Sequence, residues 1–456
     1  MNRVVQWLLS VGIVVVILAA VMLPLRVEIV APRLGIPVIR QPSQSFEVEL
    51  QSSIPFYLPY LALSLESAAG SVPLEIKSMS VGVLRHRLQV SLPQNIQAGM
   101  YTLQAQGRWR SYKRPNAVTV VQRFKPELSL VQLADLPVLG GDGSGDALLR
   151  QIIGEINIIN PDLVLFTGDL AYGGSWDQYN RLLDAMLDFA TPVIAVPGNH
   201  EYEGWGAYLK LLGQPYHVVS YGGYHIVSLN SGHGKDQLTH SQYAWFQNTL
   251  ASLPEQAVPL LQIHHPLHHK PGLRGYLQVH VDDVVAQVKQ AGIPVVLSGH
   301  WHGDAVYDEL GRERTDTWRF DGTPYVVTTT AGADLRPPYS SSPLHHGYRL
   351  LRLRQGELQF YTYDYDGDGK RDASSSLPTG LLSLRHISNT HLVVENQLNE
   401  TFVDAKVVFH VPGDNPNYVP SIGRLLDYMV LADKVRFEVL LDLPARSDTT
   451  VTLEPR

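Results

Sequence analysis

Five apolar runs in the middle of the chain each end in a small or polar residue followed by a side chain able to hold a metal ion. Leu128–Leu133 leads to Asp135, Leu163–Phe166 to Gly168-Asp169, and Val193–Val196 to Gly198-Asn199-His200-Glu201. Leu260–Ile263 leads to His264-His265-Pro266, and Val295–Leu297 to Gly299-His300-Trp301-His302. Runs this short and this apolar read as buried strands, and in an open α/β sheet ligands gather beyond the carboxyl ends of the strands. The spacing therefore brings carboxylates, an amide and imidazoles to one sheet edge. Each residue has a plainer reading when taken singly: Asp135 and Asp169 could cap helices, and His264 could be a packed core histidine.

As an ordered set the motifs resemble the calcineurin-like metallophosphoesterase superfamily, whose signature runs D-x-H, GD, GNH(D/E), H-x-P and GHxH. The resemblance covers about 240 of the 456 residues. The first motif is Asp135-Leu136-Pro137, so the usual histidine is absent. The second is Gly168-Asp169-Leu170-Ala171-Tyr172, which looks like the GDxxY of the purple acid phosphatase branch, where a tyrosine takes that histidine's place.

The resemblance implies a dinuclear centre. It assigns Asp135, Asp169, Tyr172 and His302 to one metal and Asn199, His264 and His300 to the second, with Asp169 bridging. A phenolate favours a hard trivalent ion, so Fe(III) is expected beside a divalent Zn, Mn or Fe ion. Two carboxylates and a phenolate bring about −3 against about +4 or +5, and the centre would stay cationic and attract a phosphoryl group. His200 matches a position that is not a ligand in the family, and is the candidate to donate to the phosphoryl or leaving-group oxygen. His265, His268 and His269 follow the fourth motif as candidates for substrate contact, a surface loop being the plainer reading of each. His345-His346 could reach the mouth of the site.

The activity this implies is a phosphomonoesterase, with a phosphodiesterase or nucleotidase sharing the same ligands next. From another class, a cell-surface binding protein on a degenerate scaffold would fit Pro137, but such a protein should also have lost other ligands.

A separate constellation, Asp364-Tyr-Asp366-Gly-Asp368-Gly-Lys-Arg-Asp372, has the oxygen spacing of a calcium loop. Position 12 is Ser375, without the bidentate glutamate, and no helix pattern brackets the loop. A weak structural calcium site and a solvated acidic turn are both open readings.

The elements that must position these residues follow from periodicity. Leu148, Leu149, Ile152, Ile153, Ile156 and Ile159 form one helical stripe, Leu182, Leu183, Met186 and Leu187 a second, and Val281, Val284, Val285 and Val288 a third. Alternating with apolar runs, they predict an α/β class of domain, a metallophosphoesterase-type layered β-sheet flanked by helices, over 126–376. Alternating runs such as Phe46–Leu50 and Leu88–Leu92 predict a β-sandwich over 27–125, and His391–Val394 and Phe437–Leu441 a second over 377–456, both read as immunoglobulin-like.

Residues 1–26 contain the charge-free run Val4–Leu25, long enough to cross a bilayer. It reads as a membrane anchor or else a cleaved signal segment, with the bulk of the chain outside the cytoplasm. Composition narrows the chemistry further. With 45% hydrophobic residues, 17% charged residues and a net charge of −7, disorder and general nucleic-acid binding are excluded. The chain has no cysteine, which excludes disulfides, thiolate metal sites and thiol catalysis.

Overall fold

The computed structural model describes residues 27–456 apart from 57, 59–60, 68–69, 108–109, 137–143, 233–237, 270–271, 273, 315–319, 338–343, 362–375 and 431–432. The expected anchor Val4–Leu25, Pro137 and the Asp364–Asp372 loop lie outside the described residues. Among the described residues no helix is long and apolar enough to cross a membrane.

The central part is built on two facing mixed sheets. The first contains β1 (Glu127–Leu133), β2 (Leu163–Thr167), β3 (Val193–Val196), and, from further along, β10 (Gly347–Arg354) and β11 (Glu357–Tyr361), in the order β3-β2-β1-β10-β11. The second contains β4 (His217–Tyr221), β5 (Tyr224–Leu229), β6 (Val258–Ile263), β7 (Val296–Ser298), β8 (Ala305–Tyr307) and β9 (Tyr325–Val327), in the order β4-β5-β6-β7-β9-β8. β1, β2 and β3 run parallel, as do β5, β6 and β7.

Period-two alternation explains why the site-bearing strands are apolar on both faces. Along β2, Leu163 and Leu165 point between the sheets, while Val164 and Phe166 point to the helical layer. Along β6, Leu260 faces the other sheet, and Leu261 and Ile263 face helices. The helices are α1 (Ser144–Ile159), α2 (Trp176–Met186) and α3 (Trp205–Leu211) over the first sheet, and α4 (His240–Ser252) and α5 (Val281–Gln290) over the second. The result is four layers, α/β/β/α. The sequence reading placed all five apolar runs in one sheet; they divide between two because the β4–β5 hairpin starts a new sheet before β10 returns to pair with β1.

The second stripe overran its helix. α2 starts on a capping box, Ser175 with Gln178, and ends at Met186, so Leu187 is its C-cap and 43% exposed.

Upstream, the strands Val27–Ala31, Ser45–Ser52, Arg85–Ser91 and Glu75–Val81 form a four-stranded sheet. It closes on a five-stranded sheet of Val38–Arg40, Ser111–Val120, Gly99–Gly107, Leu61–Ser67 and Gly70–Pro73, over a core that includes Phe46, Val48, Leu65 and Leu103. Downstream, a four-stranded and a three-stranded sheet make up residues 382–455. Their core is continuous with that of α1: Leu392, Val394, Phe402 and Val407 join Ile152 and Ile156 in one buried cluster. Asn160 just past α1 donates its side-chain amide to the Asp404 carbonyl at 3.1 Å.

Candidate metal centre

The ends of β1, β2 and β3 in the first sheet and of β6 and β7 in the second meet at one edge of the sandwich. Their turns are stitched together by backbone hydrogen bonds. The Asp135 amide donates to the Gly168 carbonyl at 3.2 Å, the Leu136 amide to Asp169 at 3.0 Å, and the Gly299 amide to His264 at 3.0 Å. Asp135, Asp169, His300 and His302 all adopt positive φ, between 49° and 70°. Non-glycine residues adopt that conformation uncommonly, Asp and His more readily than most, and such positions cluster at functional sites.

The side chains so placed fall into two groups that share one residue. Ligand atoms of Asp169, His264 and His300 lie within 4.8 Å of one another, and so do those of Asp135, Asp169 and His302. His264 Nε2 is 3.2 Å from both Asp169 Oδ2 and Asn199 Oδ1. His300 Nδ1 lies 3.2 Å from the same nitrogen. His302 Nε2 is 3.2 Å from Asp135 Oδ1. Gly198 is required by this crowding, since a Cβ there would sit 2.2 Å from Asp169 Oδ1 and 2.8 Å from His264 Nε2.

Backbone carbonyls select which imidazole nitrogen faces inward. His264 Nδ1 donates to the Thr167 carbonyl at 2.8 Å and His302 Nδ1 to the Asp334 carbonyl at 2.6 Å, leaving each Nε2 for the centre. His200 is held in the same way, Nδ1 to the Tyr172 carbonyl at 2.8 Å, with its Nε2 4.0 Å from Asp169 Oδ2.

These residues fit a pair of metal ions. Asp135 and Asp169 are buried side by side, and Asp135 Oδ1 accepts no well-aligned hydrogen bond, His302 Nε2 being the group that faces it at 3.2 Å. A buried anionic oxygen without a donor is costly unless a cation serves it. Burial opposes the charge on Asp169, but His264 and His200 outweigh it and hold the carboxyl well below its usual range. Burial would likewise lower His264, yet Asp169 and Asp135 push it up to about 9. The pocket therefore stabilises positive charge at His264 Nε2, the position from which that nitrogen would ligate an ion. Burial and the neighbouring His265 and His264 push His300 far down, so its nitrogen is a bare donor.

Of the residues that support the centre, only Glu201, the last position of the third motif, stands in the sequence signature. Glu201, fully buried, accepts the amides of Leu170 at 2.9 Å and Ala171 at 3.0 Å on one oxygen and that of Gly198 at 2.7 Å on the other. Burial and Asp169 raise its pKa to about 7, against the pull of those amides. Thr330 donates its hydroxyl to the Asp135 carbonyl at 2.7 Å. Behind the centre, Gln132 donates to Thr167 Oγ1 and the Ser298 carbonyl and accepts from Thr328, which in turn accepts from Arg349. Arg349 is ion-paired with Asp304 at 2.8 Å, both fully buried.

The remaining sequence candidates take other places. Tyr172 is 68% exposed, its ring stacked on that of His200 with centroids 5.0 Å apart. His265 is buried 4.2 Å from the His300 ring and hydrogen-bonded to Ser231 Oγ at 2.6 Å, so it supports a candidate ligand from behind. His268 packs edge-on against Tyr325, and His269 stacks on Tyr276. His345 bonds Ser376 Oγ at 2.8 Å and His346 the Ala333 carbonyl at 3.0 Å. Arg336, which sequence reading passed over, lies close enough to His300 and His302 to disfavour a proton on either.

Residues 128–304 match the sequence profile of the calcineurin-like phosphoesterases. A probable cyclic nucleotide phosphodiesterase of Synechococcus sp. is 30% identical over 200 residues, covering 38% of this chain and 73% of that protein. The 3′,5′-cyclic adenosine monophosphate phosphodiesterase CpdA of Haemophilus influenzae is 30% identical over 261 residues, covering 51% of this chain and 88% of that one. Among solved structures, a purple acid phosphatase from yellow lupin seeds aligns over 78% of this chain and 74% of its own, at 13% identity and a TM-score of 0.48. The chain belongs to the calcineurin-like phosphoesterase family, and with it to the phosphoric ester hydrolases.

Proposed function

We propose that the chain hydrolyses phosphate monoesters at a dinuclear metal centre bridged by Asp169. The observation that carries this is the sharing of Asp169 between the two donor groups. Asp135, Asp169 and His302 would hold one ion, with Tyr172 as the phenolate donor that selects Fe(III); Asn199, His264 and His300 would hold a divalent Zn, Mn or Fe ion. Such a pair, when bound, polarises a phosphoryl oxygen and acidifies water.

The rest is done by the chain. Fixed carbonyl partners keep the imidazoles from turning, and Glu201 keeps the loops after β2 and β3 in step. His200, with Nδ1 already donating to the Tyr172 carbonyl, would serve the leaving oxygen in its doubly protonated form, giving up the proton on Nε2 as the ester bond breaks. Arg336 adds positive charge at the rim, which suits the second negative charge of a monoester. The similarity to cyclic nucleotide phosphodiesterases favours a second reading, hydrolysis of a cyclic nucleotide diester by the same residues.

One assay separates them: the metal-loaded full chain on an aryl phosphate, a bis-aryl phosphate and 3′,5′-cyclic AMP, with Asp169→Asn as control. A higher kcat/KM on the monoester supports the proposal, and a higher value on cyclic AMP assigns the second reading. Equal rates with Asp169→Asn refute the centre.

We infer also that Val4–Leu25 anchors the chain in a membrane with the hydrolase outside the cytoplasm. Support comes from the charge-free run and from a ligand set that contains no oxidisable thiol. Protease accessibility in intact cells tests it.

A further inference from the structure

The first described strand begins at Val27, two residues after the charge-free run ends at Leu25. Val27 pairs with Ser52, and the Ser52 amide donates to the Leu84 carbonyl at 2.9 Å. Leu84 lies in the hairpin turn between the strands Glu75–Val81 and Arg85–Ser91, where the Gly82 amide donates to the Arg85 carbonyl at 3.0 Å. The Phe56 amide donates to the Val83 carbonyl at 2.6 Å. The start of the first strand, the hairpin tip and Phe56 therefore share one end of the sheet.

Among the described residues that end is apolar and exposed. Phe56 is 68% exposed, Val83 55%, Val81 42% and Leu84 39%, with Met79 at 56% on the adjoining edge strand. Sheet edges facing water are usually blunted with charge. Here the charges of the edge strand, Glu75 and Lys77, pair with each other at 2.6 Å towards its other end, and Arg85 is ion-paired with Glu49 at 2.6 Å. The tether is short as well: two Cα steps between Leu25 and Val27 span at most about 7 Å.

We propose that this tip, Phe56, Val81, Val83 and Leu84, inserts into the lipid surface where Val4–Leu25 enters it, so that the N-terminal sandwich stands on the bilayer in a fixed orientation. The inference rests on reading Val4–Leu25 as an anchor. A patch this small would bind lipid weakly by itself, but a tether this short keeps it at high effective concentration at the interface, where an exposed phenylalanine is favoured.

The chain has no cysteine, so Val83→Cys accepts a single environment-sensitive dye. Asn95→Cys, exposed and past the far end of the strand Arg85–Ser91, is the control. The full chain is reconstituted in phosphatidylcholine vesicles and quenched with iodide. The expected result is a blue shift and several-fold weaker quenching at position 83, with neither at position 95; Phe56→Cys repeats the measurement if Val83→Cys does not fold. Equal quenching at both positions in a chain that floats with the vesicles overturns the proposal and leaves the anchor standing. A chain that does not float removes both. Protection at position 83 that persists in dilute detergent and depends on protein concentration assigns the tip to a second copy and overturns lipid insertion.

Discussion

The buried carboxylate of Glu201 accepts the Gly198 amide at 2.7 Å, and its other oxygen accepts the amides of Leu170 and Ala171, so one side chain sets the spacing of the two loops that carry Asp169 and Asn199. Glu201→Gln keeps one acceptor and turns the other into a donor facing an amide. Metal affinity should fall by about 10–100-fold, the usual cost of disturbing the residues that orient ligands, with the fold retained. Metal titration followed by mass spectrometry, alongside circular dichroism, checks this; unchanged affinity would show that the loops hold themselves.

His200→Ala should reveal itself through the leaving group. If His200 donates the proton, kcat falls by about 10²–10⁴-fold for an alkyl phosphate, and much less for an aryl phosphate whose phenolate departs unaided. Equal losses on both esters would move His200 from proton donor to phosphoryl contact.

Tyr172 is tested by colour. Iron-loaded protein should absorb visible light through phenolate-to-Fe(III) charge transfer, and Tyr172→Phe should bleach it. A colourless ferric protein would remove Tyr172 from the ligand set and leave it as the stacking partner of His200.

Far from the centre, Glu155 on α1 accepts the Tyr348 hydroxyl at 3.0 Å and the Gly380 amide at 2.8 Å. Burial outweighs these bonds and raises its pKa from 4.5 to about 7. A carboxyl raised in the folded state binds protons there that the unfolded chain has already released. Stability should therefore decline as pH rises from about 4.5 and level off above about 7, by on the order of 3 kcal/mol in total. Urea unfolding of wild type and Glu155→Gln across that window isolates the effect, which should be absent from the variant.

The motif residues were legible because each follows an apolar run and ends a strand, a relation local in sequence. The division into two sheets was not, since Leu163–Phe166 and Leu260–Ile263 are buried on both faces and look alike whichever sheet they join. Thr330 and Gln132, and the role of Glu201 within the third motif, were illegible for a related reason. Their partners lie 195, 166 and 31 residues away, and only the closed fold brings a donor to each acceptor. Leu187 shows the opposite error, a periodicity that runs one residue past the capped helix.

Helix α1 is walled on one side by the first sheet and on the other by the C-terminal strands, with Ile152, Phe402 and Val407 in a single cluster. The last sandwich is therefore no detachable appendage. A chain shortened before Leu382 would bare the back of the helix that covers the strands leading to Asp135 and Asp169. A cut between hydrolase and terminal module would expose the same apolar surface on both, so neither is expected to fold well without the other.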